Sequence, residues 1–309
     1  MRQTEEALGR VAWMKGGARA FAVAALVCLC VLASAAAIAQ EAEAAFTWEP
    51  IFQGVELTSH RVTEPLPLAI YAVRIDLQAP GLSFVVTPPN GEEPEETNSR
   101  TTSTFAEELG CQAAINASPF SPVVEEEGVP QDVVGVSIAD GERYSDPQPD
   151  WAALLIGPDN RAWCAQQSED MSAAQHGVGG FGRLLDAGRN VGDDNDIHPR
   201  TAAGVSEDGR YLIWAVIDGR QPDHSVGAST AETAEWMRRL GCHDAVNLDG
   251  GGSTTLVVMD AEGVAKPVNR PIHANVPGRE RPSANHIGVR AQALGSEASE
   301  ASAPAEAAK

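Results

Sequence analysis

Short apolar runs broken by turn residues, rather than long amphipathic stretches, set the pattern of this chain. Leu68–Val73 and Leu82–Val86 read as strands, the second ending at Pro88-Pro89, so residues 46–86 are predicted to be β-rich. Tyr211-Leu-Ile-Trp-Ala-Val-Ile217 is almost unbroken in its apolar character, which predicts a strand covered on both faces. Two segments repeat one order. Thr104-Phe-Ala-Glu-Glu-Leu-Gly-Cys111 before Ala113-Ala-Ile-Asn116 parallels Glu235-Trp-Met-Arg-Arg-Leu-Gly-Cys242 before Ala245-Val-Asn247. Each reads as helix, glycine stop, apolar strand and terminal Asn. Thr104 with Glu107 and Ser229 with Glu232 fit capping boxes at the helix starts, and Gly110 and Gly241 suit the C′ positions. The expected fold is therefore α+β or mixed α/β, a central mixed β-sheet with packed helices in a single catalytic domain.

The ends of the chain differ from this middle. Lys15 and Arg19 precede an apolar run from Ala20 to Ala39 that closes on Ala37-Ile38-Ala39, the pattern of an export signal over residues 1–39. A mature chain beginning near Gln40 is expected, with an uncleaved signal anchor as the alternative, and either places the body outside the cytoplasm. Membrane association is expected only if that segment is retained. Residues 40–99 form the β-rich start of the domain and 100–294 its catalytic part. Residues 295–309, an Ala/Ser/Glu/Pro run without periodicity, are expected to be a disordered tail.

Composition narrows the chemistry. The 309 residues are 43% hydrophobic and carry a formal charge of −21, and the leader holds more basic than acidic residues, so its loss leaves the rest more acidic still. Such a field repels phosphate backbones over a Debye length of about 10 Å, which argues against nucleic-acid binding. Beyond the leader only Cys111, Cys164 and Cys242 remain, in a compartment where disulfides persist, so one bridge and one buried thiol are expected without a choice of pairing. No two of these cysteines have metal-ligand spacing and the His residues are scattered.

The densest chemical signal is Asn247-Leu-Asp249-Gly250-Gly251-Gly252-Ser253-Thr254-Thr255, just before the apolar Leu256-Val-Val258. Three successive glycines after a strand imply a backbone that takes positive φ or lies against a ligand, and bare N–H groups there can face an anion. It is not a Walker loop, because the required Lys is absent. Arg200, in His198-Pro-Arg-Thr-Ala202, and Arg220, in Asp218-Gly-Arg220, supply guanidinium groups suited to an anion in an otherwise acidic protein. Three apolar strands thus end in polar groups: Asn116, Asp218 with Arg220, and Asn247 with Asp249. Other motifs carry less. Gly177-Val-Gly-Gly-Phe-Gly182 matches a dinucleotide fingerprint without the flanking strand and helix, and Asp193-Asp-Asn-Asp196 reads as a solvated acidic turn. Asn116-Ala-Ser118 is a glycosylation sequon at the end of a buried strand, a position that argues against modification.

Ala114-Ile-Asn116, Arg200-Thr-Ala-Ala-Gly204, Asp218-Gly-Arg220, Gly227-Ala-Ser-Thr-Ala-Glu232, Asn247-Leu-Asp-Gly-Gly-Gly-Ser-Thr254 and Arg281-Pro-Ser-Ala-Asn285 occur in that order. The series resembles the phosphodiester glycosidase family over about residues 100–291. The resemblance implies a mixed α and β fold and hydrolysis of a sugar-1-phosphodiester at the anomeric carbon. On that basis Asp249 is the expected base or nucleophile with Asp218 as its partner. Arg200, Arg220 and the amides of Gly250, Gly251 and Gly252 would hold phosphate, and Asn116 and Asn247 sugar hydroxyls, with Thr201, Ser253 and Thr254 completing the pocket. The chain departs from the family after the first Asn, where Ala117-Ser-Pro-Phe120 stands in place of the usual glycines and aromatics. The expected partner is a glycosyl-phosphate or envelope glycan. No cofactor is expected, a divalent metal such as calcium being compatible with the sequence but not required by it. Two other functions fit the same residues: a non-catalytic envelope module that binds glycans, and a phosphodiesterase that cuts the P–O bond.

Overall fold

Tyr211–Ile217 lies near the middle of an eight-stranded sheet, between Leu68–Asp76 on one side and Arg200–Val205 on the other. The structure, a computed structural model, describes residues 46–194 and 196–295. The expected signal segment and the tail from residue 296 lie outside the described residues. Beyond Arg200–Val205 the sheet continues through Asp244–Asn247 to Gly182–Asp186, and beyond Leu68–Asp76 through Val55–Val62 to Glu49–Phe52. A second sheet centres on His176–Gly180 and Ala152–Ile156, and a third on Ala113–Asn116 between Leu256–Met259 and His286–Arg290. A small three-stranded sheet joins Thr97–Asn98, Pro130–Val133 and Phe120–Ser121.

This corrects the expected fold class. The protein is mostly β, every paired strand is antiparallel, and among the described residues there are only two α-helices, Thr102–Leu109 and Thr230–Arg239. The apolar run at 211–217 does mark burial on both faces, but helices do not supply both covers. On one face Trp214 and Val216 share a core with Ile115, Leu256 and Val289 of the third sheet and Leu154 and Ile156 of the second. On the other, Ile213 and Ala215 belong to the core that Ala234 and Met237 of the Thr230–Arg239 helix cover. An apolar strand reports that something packs on it, not whether that layer is helix or sheet. The other helix covers the third sheet, with Phe105 and Ala106 against Ala114 and Val257.

The repeated helix-to-strand order is present in both places, with one shifted boundary. The first helix is capped by Thr101, whose side chain accepts from the Thr104 N–H, so it begins three residues before the expected capping Thr104. Gly110 ends it in the left-handed conformation, at φ 64°. Ser229 and Glu232 do form the reciprocal box on the second helix. Replacing Ser229 with Ala leaves the Glu232 N–H without its acceptor, and is expected to cost about 1 kcal/mol, read as a lower urea midpoint at unchanged m-value.

The expected disulfide is absent: Cys111, Cys164 and Cys242 are all free. Cys111 packs in the core beneath the first helix and against Gly288, while Cys242 belongs to the core beneath the second. Burial pushes the Cys111 and Cys164 thiols up to about 12, so all three behave as apolar filling rather than reactive groups.

Candidate active site

Antiparallel register brings the site together. Arg200 pairs with Ile217 and Ala202 with Asn247, so the start of one strand meets the ends of its two neighbours. The chain leaving Ile217 carries Asp218 to Arg220, and the chain leaving Asn247 carries Asp249 to Ser253. These segments enclose a cavity of about 580 Å³ lined by Asn247, Asp249, the three glycines, His198, Arg200, Arg220, Arg281 and Phe181, among others.

The three glycines are required by what lies against them. A Cβ at Gly250 would stand 2.6 Å from the Pro199 carbonyl oxygen. At Gly251, where φ is +63°, it would stand 3.2 Å from Arg220 Nη2. At Gly252 it would collide with the Arg281 guanidinium. The loop is bare so that two guanidinium groups and one strand end can close onto it. Its amides are partly committed: the Gly251 N–H donates to the Pro199 carbonyl at 2.9 Å, and the Gly250 N–H interacts with the Asp249 carboxylate. The cradle of three amides expected for phosphate is therefore not fully open, and the positive complement lies in the side chains.

Arg281 was not singled out as a site residue from sequence, although it opens the Arg281-Pro-Ser-Ala-Asn285 element. Its Nη1 approaches Ser253 Oγ at 3.3 Å and its Nε donates to His273 Nδ1 at 3.1 Å, with His273 Nε2 3.2 Å from Glu125. Arg220 takes a left-handed backbone, φ 59°, a conformation that costs a non-glycine residue on the order of 1 kcal/mol. Its Nη2 donates to His198 Nδ1 at 3.3 Å. Arg200 braces the wall, with Nε donating to the Ala228 carbonyl at 2.8 Å and Nη2 to the Asp196 carbonyl at 2.7 Å. Desolvation and the charges of Arg220 and Arg200 together hold the His198 imidazole below its usual range, so it stays neutral beside them. A cluster of like charges in a protein of net charge −21 is matched to an anion.

Asp249 is half-buried in the cavity wall, and desolvation pushes its carboxyl up to about 6. The Ser253 hydroxyl, the Arg281 charge and the Gly250 amide act in the opposite direction. The cation that acts on this carboxylate is thus Arg281, rather than Arg200 or Arg220. Asp193, read above as part of a solvated turn, also lines the cavity and is exposed.

The remaining expected site residues divide. Asn247 lines the cavity, is 6% exposed, and its Oδ1 has no hydrogen-bond partner. Asn116 is buried and bonded within the protein: its Nδ2 donates to the Asp249 carbonyl at 2.6 Å, while its Oδ1 accepts from Thr201 Oγ1 at 2.8 Å and from the Thr255 N–H at 3.1 Å. Asn116 and Thr201 therefore hold the Asp249 loop instead of a sugar, and the sequon has no exposed amide. Thr254 is buried as well, and its carbonyl accepts from Asn269 Nδ2.

Asp218 does not line the cavity. It is 1% exposed, with Oδ2 2.8 Å from His224 Nε2 and Oδ1 accepting from Asn269 Nδ2 at 2.8 Å, and it also takes the Arg270 N–H. Its backbone carbonyl accepts from Ser225 Oγ at 2.5 Å. The residue clamps the turn that presents Arg220 and is not placed as a second carboxylate. Among the described residues no cluster of three or more His, Cys, Asp or Glu has the arrangement of a metal site.

The sequence profile of the phosphodiester glycosidase family matches residues 109–290. No curated protein matches the sequence. Among solved structures, the catalytic domain of zebrafish N-acetylglucosamine-1-phosphodiester α-N-acetylglucosaminidase, auto-inhibited by its pro-peptide, is similar at 19% identity and a TM-score of 0.59, over 79% of this chain and 85% of that one. A hypothetical protein from Synechocystis is similar at 16% identity and a TM-score of 0.55, over 78% of this chain but 62% of that longer one. At these identities the likeness is one of fold.

Proposed function

We propose, from the premise that this chain belongs to the phosphodiester glycosidase family and is a hydrolytic enzyme, that it cleaves a sugar-1-phosphodiester at the anomeric carbon. The observation that carries the reading is one cavity lined by the Asp249 carboxylate together with Arg220 and Arg281, both packed on bare glycines. The guanidinium groups receive the phosphodiester, and Asp249, ionised above about pH 6, accepts a proton from the attacking water. The new bond is water oxygen to C1. The bond that breaks is C1 to the bridging oxygen, whose electron pair leaves with the phosphomonoester. That leaving group departs as a stabilised anion, so positive charge at the phosphate replaces much of the work of a general acid. The products are the free sugar and a phosphomonoester, and the proton on Asp249 passes to solvent. Arg200, Asn116, Thr201 and Asp218 act by holding this geometry.

Hydrolysis of a synthetic sugar-1-phosphodiester in ¹⁸O water tests the reaction. Release of reducing sugar with label in the sugar is expected. Label in the phosphate would assign P–O cleavage instead, and binding without turnover would assign a glycan-binding module. Export to the cell envelope fits the leader-like segment, and is checked by the N-terminal sequence of the secreted protein.

A further inference from the structure

One motif is left unexplained by the reaction. Gly177-Val-Gly-Gly-Phe-Gly182 is no dinucleotide loop, since it spans the strand His176–Gly180 and the start of Gly182–Asp186. Its glycines have packing reasons. A Cβ at Gly177 would press on Leu155 and Ile138, one at Gly179 on Val136 and Gln167, and one at Gly180 on the Asn247 carbonyl. What the motif carries outward is Phe181, 43% exposed and the only aromatic among the exposed large apolar residues described.

A single exposed apolar side chain needs no explanation by itself. Phe181 is different in being fixed and in being placed. Its ring stands 4.9 Å from the Trp151 ring, tilted at 56°, and its N–H donates to the Asn247 carbonyl at 2.9 Å. It lines the same cavity as Asp249 and the guanidinium groups. The backbone bond ties it to the residue whose buried Oδ1 lacks a partner, two positions before Asp249. An exposed aromatic ring on the wall of a cavity that also holds guanidinium groups fits a ligand that joins an apolar C–H face to an anion, which describes a pyranosyl phosphate and not phosphate alone.

We propose that Phe181, seated on Trp151, is the platform on which the pyranose of the substrate lies. The inference rests on the glycosyl-phosphate reading and adds where the sugar sits. The stacked ring brings C1 to Asp249 while the phosphate meets Arg220 and Arg281.

Calorimetric titration of the full chain with the α-1-phosphates of glucose, galactose and N-acetylglucosamine, each compared with inorganic phosphate, tests it on wild type, Phe181→Ala and Phe181→Trp. Wild type is expected to bind the tightest pyranosyl phosphate better than inorganic phosphate. Phe181→Ala should weaken the pyranosyl phosphate about ten-fold while changing inorganic phosphate less than two-fold, and Phe181→Trp should restore most of the loss. Undiminished sugar-phosphate binding by Phe181→Ala, equal weakening of both ligands, or failure of Trp to restore binding would overturn the platform. Equal wild-type affinity for phosphate and every pyranosyl phosphate would overturn it while leaving the anion site standing. Wild type that binds neither would overturn the glycosyl-phosphate reading and the platform with it.

Discussion

Asp249→Asn is expected to lower kcat by about 100-fold or more, and to abolish the acid limb that the wild-type kcat/KM should show near pH 6. The sign follows from the burial of this carboxyl. Desolvation raises it from 3.8 to about 6, so it is protonated and inactive as a base below that value and ionised above it. The same shift makes the activity loss interpretable. A carboxyl raised in the folded state is most favourable to folding below its unfolded pKa, and that contribution is lost as pH rises from 3.8 through about 6. At pH 7 the ionised Asp249 therefore weighs against the fold, and the Asn variant should be at least as stable as wild type. A folded variant with near-wild-type turnover would remove Asp249 from the role of base.

Arg281→Ala should produce the next largest effect, a fall in kcat/KM of about 100-fold, on the scale of losing one preorganised electrostatic partner of the transition state. Its guanidinium both faces the cavity and favours the ionised form of Asp249. Removing it leaves the Asp249 carboxyl more strongly raised, so the acid limb should move to higher pH as well as the rate falling. Gly252→Ala separates position from charge. Its methyl displaces the Arg281 guanidinium, the far end of a flexible side chain, so the melting temperature should change little while activity drops. Gly250→Ala should behave in the opposite way, because its methyl meets the rigid Pro199 carbonyl and must move backbone. A Gly252→Ala enzyme as active as wild type would show that the close approach of Arg281 to the loop is not used.

Much of the local structure was legible in the chain. The apolar runs at 68–73, 211–217 and 256–258 are strands, the Ser229 box starts a helix, and the repeated helix-to-Asn order exists twice. Three glycines after Asp249 correctly implied a close approach. What approached was illegible, because Arg220 and Arg281 come from distant turns and a missing Cβ carries no name for its neighbour. The fold class is not legible for a related reason: a run buried on both faces looks the same under a helix and under a second sheet.

Polar residues at strand ends show the division most clearly. Asn116, Asp218 and Asn247 occupy similar places in the sequence pattern, yet Asn116 is held by Thr201, Thr255 and the Asp249 carbonyl, Asp218 is enclosed by His224, Asn269 and Arg270, and of the three only Asn247 lines the cavity. The sequence by itself determined the strand and helix segments, the acidic background against which a few arginines stand out, the glycine loop and the family. Only the tertiary structure decided which polar groups are spent on one another and which remain for a ligand. Periodicity and capping act between residues a few positions apart, whereas the bonds that hold Asn116 and Asp218, the register that pairs Ala202 with Asn247, and the packing of Arg281 over Gly252 join segments far apart in the chain.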